Sequence, residues 1–512
     1  MNKGKTILKI LIFFITTMVI IVLPFLSILL IGTLTTSPYK DTYYGGLSDK
    51  YERLNKINDK KIIFVGNSSV TFGLRSDLIE KELPEYKVVN FGLYGSVGTK
   101  AMIDLSKSNI NKDDIVILMP EISKQSLSMY FNPDVMLECL DNNWNMYNSL
   151  QKNDKKSVAY HYFSFFINKM EYLSGAKRIV LDNVYARENM NEYGDIAYYK
   201  RDENHNIIRD DDGIPISLRT YNIMPKMYDE SSMVLYDSSI IEKDFINYVN
   251  EYASWLRKKG ANIYFAFSPS DEPSIISTKA EITDFYWYMR NTLNMPFLGN
   301  PFDHIFAPEY FYDSNFHLND SGAVYNTINI INELKQVLKN DTKTNIPIPN
   351  PPEIPHDEDS DVDSPTASYF TYEDYLDYKG DKLGLQIVGV KEEHINDSEI
   401  ELPRYYGGYS IMVIAPDAFK EMPNLKTVHL NKNLKIISSR AFEGCKVLEK
   451  IIVPESMSPS DCFVPFDIEV EKTNSMLYGC NEGVKILIPK DKYGSYDLDY
   501  YWSRYSTHFL TY

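Results

Sequence analysis

The sequence predicts an α/β domain with a parallel sheet, preceded by a membrane helix and followed by a short repeat solenoid. Three observations lead to this prediction. An uncharged apolar run extends from Ile10 to Leu34, short apolar segments alternate with helical patterns from Lys61 to Leu338, and a 23-residue repeat follows a proline-rich acidic segment. A chain of 512 residues is also long enough for about three domains.

Composition supports a folded chain and excludes one class of partner. Hydrophobic residues make up 44% of the sequence, and 40 tyrosines and 25 phenylalanines supply ample aromatic surface for packed cores. The net charge is −17, and no basic stripe is present. Binding to nucleic acid requires such a stripe, so nucleic acid is not an expected partner.

Residues 1–36 are predicted to form a cytoplasmic tip and a transmembrane signal-anchor. The apolar run is long enough to cross a hydrocarbon core of ~30 Å, and Lys3, Lys5 and Lys9 lie just before it. The positive-inside rule then places the N-terminus in the cytoplasm and the bulk of the chain outside the cell, in a single-pass topology. A cleaved signal peptide is the alternative, but the run exceeds the usual apolar length and no A-x-A site follows it. Residues 37–60 would be a juxtamembrane segment.

Residues 61–339 are predicted to form the α/β domain. Strands alternating with helices favour right-handed crossovers and a parallel sheet. The segments that carry the pattern are KIIFVG, SDLIEKEL, KVVNFG, TKAMIDLSKS, DIVILMP, INYVNEYASWLRKKG, ANIYFAFSPS and AVYNTINIINELKQVL. Residues 130–238 break the alternation and are interpreted as an insertion capping the sheet, with a hairpin or loop at RDENHNIIRDDDG.

Residues 340–368 form a linker that is rich in proline and then in acidic residues, and residues 369–512 contain a repeat. IAPDAFKEMPNLKTVHLN aligns with ISSRAFEGCKVLEKIIVP, with matching positions 23 residues apart. This period and this residue pattern resemble the leucine-rich repeats of bacterial surface antigens. The sequence is expected to contain two or three copies. Such repeats suit binding of a protein or wall ligand. Cys445 and Cys480 would point inward as thiols, although Cys462 and Cys480 could instead form a disulfide.

The first predicted strand ends in an unusual polar turn. In IIFVGNSSVTFGLR, Ser68 and Ser69 follow the apolar run directly. A serine raised above a sheet can act as a nucleophile when a base and an orienting acid are in reach, although a loop serine can equally satisfy its own backbone. His317 is the favoured base, because Asp313 precedes it by four residues in a loop before the last helix. His304 stays a possible base, and Asp313 could instead be a turn residue.

These features resemble the SGNH hydrolase superfamily. Gly66-Asn67-Ser68 is similar to its first motif block, Asn90 and Gly95 to its second, and Asp313 with His317 to its last. The resemblance implies a flavodoxin-like parallel-sheet fold and a Ser68–His317–Asp313 triad. It also implies oxyanion donors at the amides of Ser68 and Gly95.

Two positions depart from the family pattern. The third block ends in asparagine in the family but in Glu121 here. A carboxylate at this position would oppose an oxyanion unless it is protonated or turned away. Glu121 could also be a plain surface carboxylate. The acid and base are four residues apart, as in similar proteins of alginate acetylation and teichoic-acid D-alanylation. No metal-ligand spacing is present, and neither metal nor cofactor is expected.

The predicted function is a membrane-anchored extracytoplasmic serine esterase or O-acyltransferase. An acyl-serine intermediate would pass its acyl group to water or to a hydroxyl of a cell-envelope glycan or acylated polymer. Such resemblance also implies a multi-spanning acyl-export membrane protein as partner. The alternative is a surface adhesin whose SGNH-like domain is inactive and whose repeats bind the ligand.

Overall fold

A computed structural model describes most of the chain. The described residues are 3–35, 37–140, 143–174, 184–202, 204–352, 362–464, 473–499 and 501–512. The side chains of Lys3 and Lys5, on which the predicted orientation depends, lie outside this description, as do part of the predicted insertion and the acidic half of the predicted linker.

The chain begins with an apolar helix, which we call the anchor helix. It comprises α-helices Lys3–Thr17 and Leu23–Leu34, joined by a π-helical turn at Met18–Val22. The π turn lies just before Pro24, which has no backbone N–H to donate. Within the described residues, Thr6–Ser27 is the one segment long and apolar enough to cross a membrane, and none of that window is buried in the protein.

A five-stranded parallel sheet organises the α/β region. Its strands are β1 (Lys61–Gly66), β2 (Lys87–Gly92), β3 (Ile115–Met119), β4 (Asn262–Ala266) and β5 (Phe297–Leu298), in the spatial order β2-β1-β3-β4-β5. This is the doubly wound order 2-1-3-4-5, in which ligands bind beyond the carboxyl ends of the strands. β1 and β3 are buried along their whole length, because helices cover both faces of the sheet.

Alternate residues of the strands enter two separate cores. Ile63, Val65 and Val116 belong to one apolar cluster, and Ile62 and Phe64 belong to the cluster on the opposite face. The surrounding helices are Gly46–Lys56, Ser68–Gly73, Ser76–Glu82, Thr99–Ser106, Pro133–Leu140, Trp144–Ser149, Lys152–Leu173, Lys243–Lys259, Lys279–Thr292 and Asp320–Leu338.

Helices also form in two segments where the sequence analysis did not predict them. Gly46–Lys56 lies in the predicted juxtamembrane segment, yet Leu47 and Leu54 are fully buried in the core of the sheet. The packed region therefore extends on the N-terminal side of Lys61. The helices between Pro133 and Leu173 occupy the predicted insertion, where the many tyrosines obscure the helical period. Bridges Arg201↔Ile207 and Arg209↔Pro215 form the hairpin-like part.

The C-terminal region is built from short strands stacked in parallel. One ladder joins Glu399–Glu401, Thr427–His429, Lys450–Ile452, Lys485–Ile488 and Phe509–Thr511 in order. A second joins Tyr409–Ile414 to Ile436–Ile437. The strands Phe370–Leu376 and Lys382–Val390 form an antiparallel pair beside it, with Tyr405–Tyr406 at the edge. Pairs Ile414↔Ile437 and Val428↔Ile451 are 23 residues apart, so the sequence repeat is the physical register.

The cysteines are free thiols in this structure. Cys139, Cys445 and Cys462 are buried, and Cys480 is partly buried. The Cys445 thiol donates to the Phe419 carbonyl at 2.9 Å, and the Cys480 thiol donates to the Phe442 carbonyl at 2.9 Å, so the two occupy equivalent inward positions. The disulfide alternative for Cys462 and Cys480 is not adopted.

Candidate active site

The carboxyl ends of three neighbouring strands meet at the candidate site. Gly66 at the end of β1 lies in register with Gly92 on β2 and with Met119 on β3. A side chain at Gly66 would approach the Met119 carbonyl oxygen to 2.2 Å, so only glycine allows the following turn to sit this close to the sheet. Parallel pairing therefore brings the residues after each strand to one edge.

Ser68 begins the short helix Ser68–Gly73, which follows β1 directly. Asp313 and His317 lie on the two short strands Phe311–Ser314 and His317–Leu318, which pair as an antiparallel hairpin just before the last helix. The last helix, Asp320–Leu338, is capped by Asn319, whose side chain accepts from the Gly322 amide. This hairpin extends over the edge of the sheet where Ser68 lies.

Ser68, His317 and Asp313 form a continuous chain of hydrogen-bonding atoms. His317 Nε2 lies 2.8 Å from Ser68 Oγ, and His317 Nδ1 lies 2.7 Å from Asp313 Oδ1. Both contacts are within the range for a base in contact with a nucleophile and with the acid that orients it. Ser68 and His317 are each 5% exposed, so solvent competes little for these bonds.

Glu121 also lies in contact with Ser68. Its Oε1 accepts from Ser68 Oγ at 3.0 Å and from the Ser69 amide at 3.1 Å. Its Oε2 faces Gly95, where an added Cβ would be 3.4 Å away. The carboxylate thus occupies the space between Ser68 and Gly95 in which the resemblance places an oxyanion.

Burial dominates the electrostatics of Glu121. Loss of solvent raises the pKa of its carboxyl above the ordinary value, whereas His317, the Ser69 amide and the Ser68 hydroxyl act in the opposite direction. Glu121 is consequently easier to protonate than an exposed glutamate. The alternative of a plain surface carboxylate is wrong, because Glu121 is only 8% exposed and bonded to Ser68.

Two aromatic side chains that were not predicted from the sequence complete the site. The Phe72 ring stacks on the His317 imidazole, with centroids 4.0 Å apart and planes 8° apart. Tyr185 donates its hydroxyl to Asp313 Oδ2 at 2.7 Å, so both carboxylate oxygens of Asp313 are bonded. Burial raises the pKa of Tyr185 well above its ordinary value, which keeps that donor protonated.

Arg219 links the site to the segment that interrupts the α/β alternation. Its guanidinium is fully buried, donates to the Phe72 carbonyl at 2.9 Å and pairs with Asp320 at 2.9 Å. It therefore joins the end of the Ser68 helix to the start of the last helix. Phe72, Tyr185 and Arg219 have no spacing signal in the sequence, because their partners are distant along the chain.

His304 and Asn90 have other partners. His304 is fully buried and lies 2.8 Å from Asn326 and 3.1 Å from Glu333, so it serves the packing of the last helix. Asn90 donates to the Val70 carbonyl and to Asp195, both at 2.8 Å. The hypothesis that His304 is the base is not supported by its surroundings.

The chain thus combines a mixed α/β region built on a parallel sheet with a C-terminal stack of short parallel strands. Residues 398–464 match the family of BspA type leucine rich repeat regions, in six copies. These residues are therefore a BspA-type leucine-rich repeat region. The matched residues include both aligned copies of the 23-residue repeat.

No curated protein matched the chain. Among solved structures, a crystal structure of a leucine-rich repeat protein from Bacteroides ovatus ATCC 8483 matches with 20% identity and a TM-score of 0.16. The match covers 23% of this chain and 35% of that protein, so the chain spans about a third of its length.

Proposed function

We propose that this chain is a membrane-anchored extracytoplasmic serine esterase or O-acyltransferase of the SGNH-hydrolase type. Its substrate would be an acyl ester of a cell-envelope polysaccharide or teichoic acid. The observation that carries the proposal is the Ser68–His317–Asp313 chain, with contacts of 2.8 and 2.7 Å, at the carboxyl edge of a parallel sheet.

In the proposed reaction, Ser68 Oγ attacks the acyl carbonyl carbon while its proton moves to His317 Nε2. Asp313 stabilises the resulting imidazolium through Nδ1. The tetrahedral intermediate collapses as the C–O bond to the alcohol breaks, and His317 returns the proton to that alcohol. Water or a glycan hydroxyl then attacks the acyl-serine with His317 as base, which releases the acid or forms a new ester.

The oxyanion would form where the amides of Ser68 and Gly95 are expected to donate. Glu121 must be protonated or displaced for that charge to be stabilised, since a carboxylate repels an oxyanion. Its raised pKa makes protonation easier than for an exposed glutamate. A protonated Glu121 would then supply the third donor that an asparagine supplies in the family.

Each end of the chain contributes a separate element of the proposal. The anchor helix supports attachment to the cell membrane. Lys3, Lys5 and Lys9 support an N-terminus in the cytoplasm, with residues 37–512 outside. The leucine-rich repeats suggest a surface or binding role and would hold a wall polymer or a protein. A multi-spanning acyl-export protein is the proposed donor of the acyl group.

A second candidate function is a surface binding protein with an inactive α/β domain. It is favoured by Glu121, which fills the space between Ser68 and Gly95 with a carboxylate, and by the repeats. In that case the α/β region would serve as a spacer between the membrane and the repeats.

Two assays on the full chain in detergent distinguish the esterase from the binding protein. They are labelling by a fluorophosphonate probe and hydrolysis of p-nitrophenyl acetate. Wild type is expected to be labelled by the probe and to hydrolyse the ester, and Ser68→Ala is expected to do neither. Ser69→Ala is a matched control, because the Ser69 hydroxyl has no partner in the described part of the chain. Equal labelling of wild type and Ser68→Ala, or turnover in neither, would contradict the esterase proposal and favour the binding protein.

A further inference from the structure

The helix Lys152–Leu173, here the lateral helix, exposes a stripe of large apolar side chains. Tyr160 is 85% exposed, Phe163 50%, Ile167 47% and Met170 42%. Their spacing of three and four residues places them on one face of the helix. We call these four residues the apolar stripe.

Other sides of the lateral helix are packed. Val158 and Lys169 are buried on the side away from the apolar stripe, and Phe166, beside the stripe, is buried against the anchor helix. The helix is therefore held in place by these sides, and its outer face is a fixed surface. From Ser157 to Asn168 the sequence contains no Asp, Glu, Lys or Arg.

The lateral helix lies against the anchor helix. The ring of Phe163 lies 5.9 Å from the ring of Phe25. Phe166 packs so closely on Gly32 that a Cβ there would be 2.1 Å from its ring. The apolar stripe therefore begins where the surface of the anchor helix ends, and the two apolar surfaces are continuous.

Lys169 fixes the position of the two helices. Its ammonium donates to the carbonyls of Gly32 and Thr35, both at 2.7 Å. Carbonyls at the end of a helix have no partner within it, and a basic side chain satisfies them. The exit of the anchor helix is thus tied to the lateral helix by a charged group.

Trp144 lies at the same exit. Its indole is 47% exposed and lines a shallow cleft together with Ser37 and Lys169. Tryptophan is enriched where a protein crosses the boundary between hydrocarbon and water. Its position agrees with an interface at the level of Ser37.

We propose that the apolar stripe lies in the outer leaflet of the lipid bilayer beside the anchor helix. This inference rests on the membrane attachment included in the proposed function. Lipid is the occupant because the stripe is continuous with the anchor helix, whose apolar window is unburied in the protein. A helix with one apolar face packs in this way along a membrane surface.

The consequence is a fixed orientation of the α/β region. A single flexible anchor would let the Ser68 site turn freely, whereas a second contact at the lateral helix holds the domain against the membrane.

Photo-crosslinking in vesicles tests this contact. The full chain is reconstituted in vesicles of phosphatidylcholine and phosphatidylglycerol with benzophenone-alanine in place of Ile167. The matched control carries the probe at Tyr288, which is 38% exposed on the helix Lys279–Thr292. We expect at least about ten-fold more lipid adduct at position 167 than at 288.

Vesicle flotation tests membrane attachment through the anchor helix separately from lipid contact at the apolar stripe. A chain that floats with the vesicles but forms no lipid adduct at position 167 overturns the inference and leaves the anchor intact. A chain that does not float overturns both. Adducts between two chains at position 167 would show that a second copy covers the stripe, and would also overturn the inference.

A substitution provides an independent measurement. Phe163→Ser with Ile167→Ser is expected to abolish the lipid adduct of a probe at position 160, while flotation and ester hydrolysis stay unchanged. Trp287→Ser, on the helix Lys279–Thr292, is the control and should leave the adduct intact. A persistent adduct in the double variant contradicts the proposed contact.

Discussion

Ser68 Oγ has two acceptors within reach but carries a single proton. His317 Nε2 is 2.8 Å away and Glu121 Oε1 is 3.0 Å away. When Glu121 is ionised, it competes with His317 for the hydroxyl proton. When Glu121 is protonated, it can donate to Ser68 Oγ and leave the hydroxyl proton to His317. The protonation of Glu121 therefore decides which arrangement exists.

The substitution Glu121→Gln tests this competition. Glutamine keeps the shape but offers a neutral amide that can donate. We expect a rise in kcat on p-nitrophenyl acetate of about ten-fold at pH 8, since a well-placed donor is worth that much or more. The wild-type kcat should fall as pH rises through the raised pKa of Glu121, and the variant should lack that fall.

Glu333→Gln is the control, because it is the same substitution at another mostly buried carboxyl group, which contacts His304. Loss of activity in Glu121→Gln to the level of Ser68→Ala would contradict the competition. It would mean that the carboxyl group itself takes part in the reaction.

Lys50 is a second residue whose charge depends on folding. It is 1% exposed, and its amine donates to the carbonyls of Gly194 and Asn90 and to the Thr71 hydroxyl. Burial lowers the pKa of Lys50 from 10.5 to about 7. As pH rises, Lys50 therefore loses its proton at a lower pH in the folded protein than in the unfolded chain.

The free energy of unfolding is expected to reflect this difference. Between about pH 7 and 10 the unfolded state binds more protons at Lys50, so this residue makes stability rise with pH. As pH rises over this range, the free energy of unfolding of wild type should increase relative to that of Lys50→Met by up to ~1.4 kcal/mol per pH unit. Urea unfolding of both proteins from pH 7 to 9 measures it, and parallel pH profiles would contradict the assigned shift.

At the scale of elements, each repeat packs on the next through equivalent side chains. Phe419 and Phe442 stack with centroids 5.2 Å apart, and both are fully buried. Cys445 and Cys480 donate to the carbonyls of these same two residues. A single repeat cannot bury these rings alone, so the stack is stable only as a unit.

Phe442→Ala should therefore destabilise the repeats by about 3–5 kcal/mol. Hydrogen exchange with mass spectrometry measures this by peptide, and faster exchange is expected in the strands from Thr427 to Ile488. Val447→Ala, at a position 36% exposed, is the matched control and should change little. Equal protection in Phe442→Ala and wild type would contradict the stacked core.

On the scale of the whole molecule, the two folded regions have separate cores. The apolar cluster of the repeats shares no residue with the clusters of the parallel sheet. Polar contacts between the regions include Lys379 with Glu309 at 3.4 Å and Ser231 with Tyr501 at 3.1 Å. Contacts of this exposed kind contribute little to stability.

Deletion of residues 369–512 is consequently expected to leave hydrolysis of small esters intact and to weaken attachment to envelope material. Hydrolysis of p-nitrophenyl acetate and co-sedimentation with isolated cell envelopes measure the two effects. Loss of small-ester hydrolysis would contradict the division of labour, and so would undiminished attachment.

Local patterns determined much of this architecture. The strands from Lys61 to Met119 and the helix Asp320–Leu338 follow from apolar runs and periodicity, because burial in a layered fold imposes those periods. The 23-residue spacing determined the register of the repeats, since each position stacks on its equivalent. Ser68, His317, Asp313 and Glu121 could be singled out because each follows or begins a recognisable element.

Only the tertiary structure decided how these residues meet. Glu121 faces Ser68 because β1 and β3 pair in register, and a strand sequence does not state its neighbour. Phe72 stacks on His317, and Lys169 holds the end of the anchor helix, across separations of more than one hundred residues. Such contacts depend on the packing of the whole chain, which no local pattern encodes.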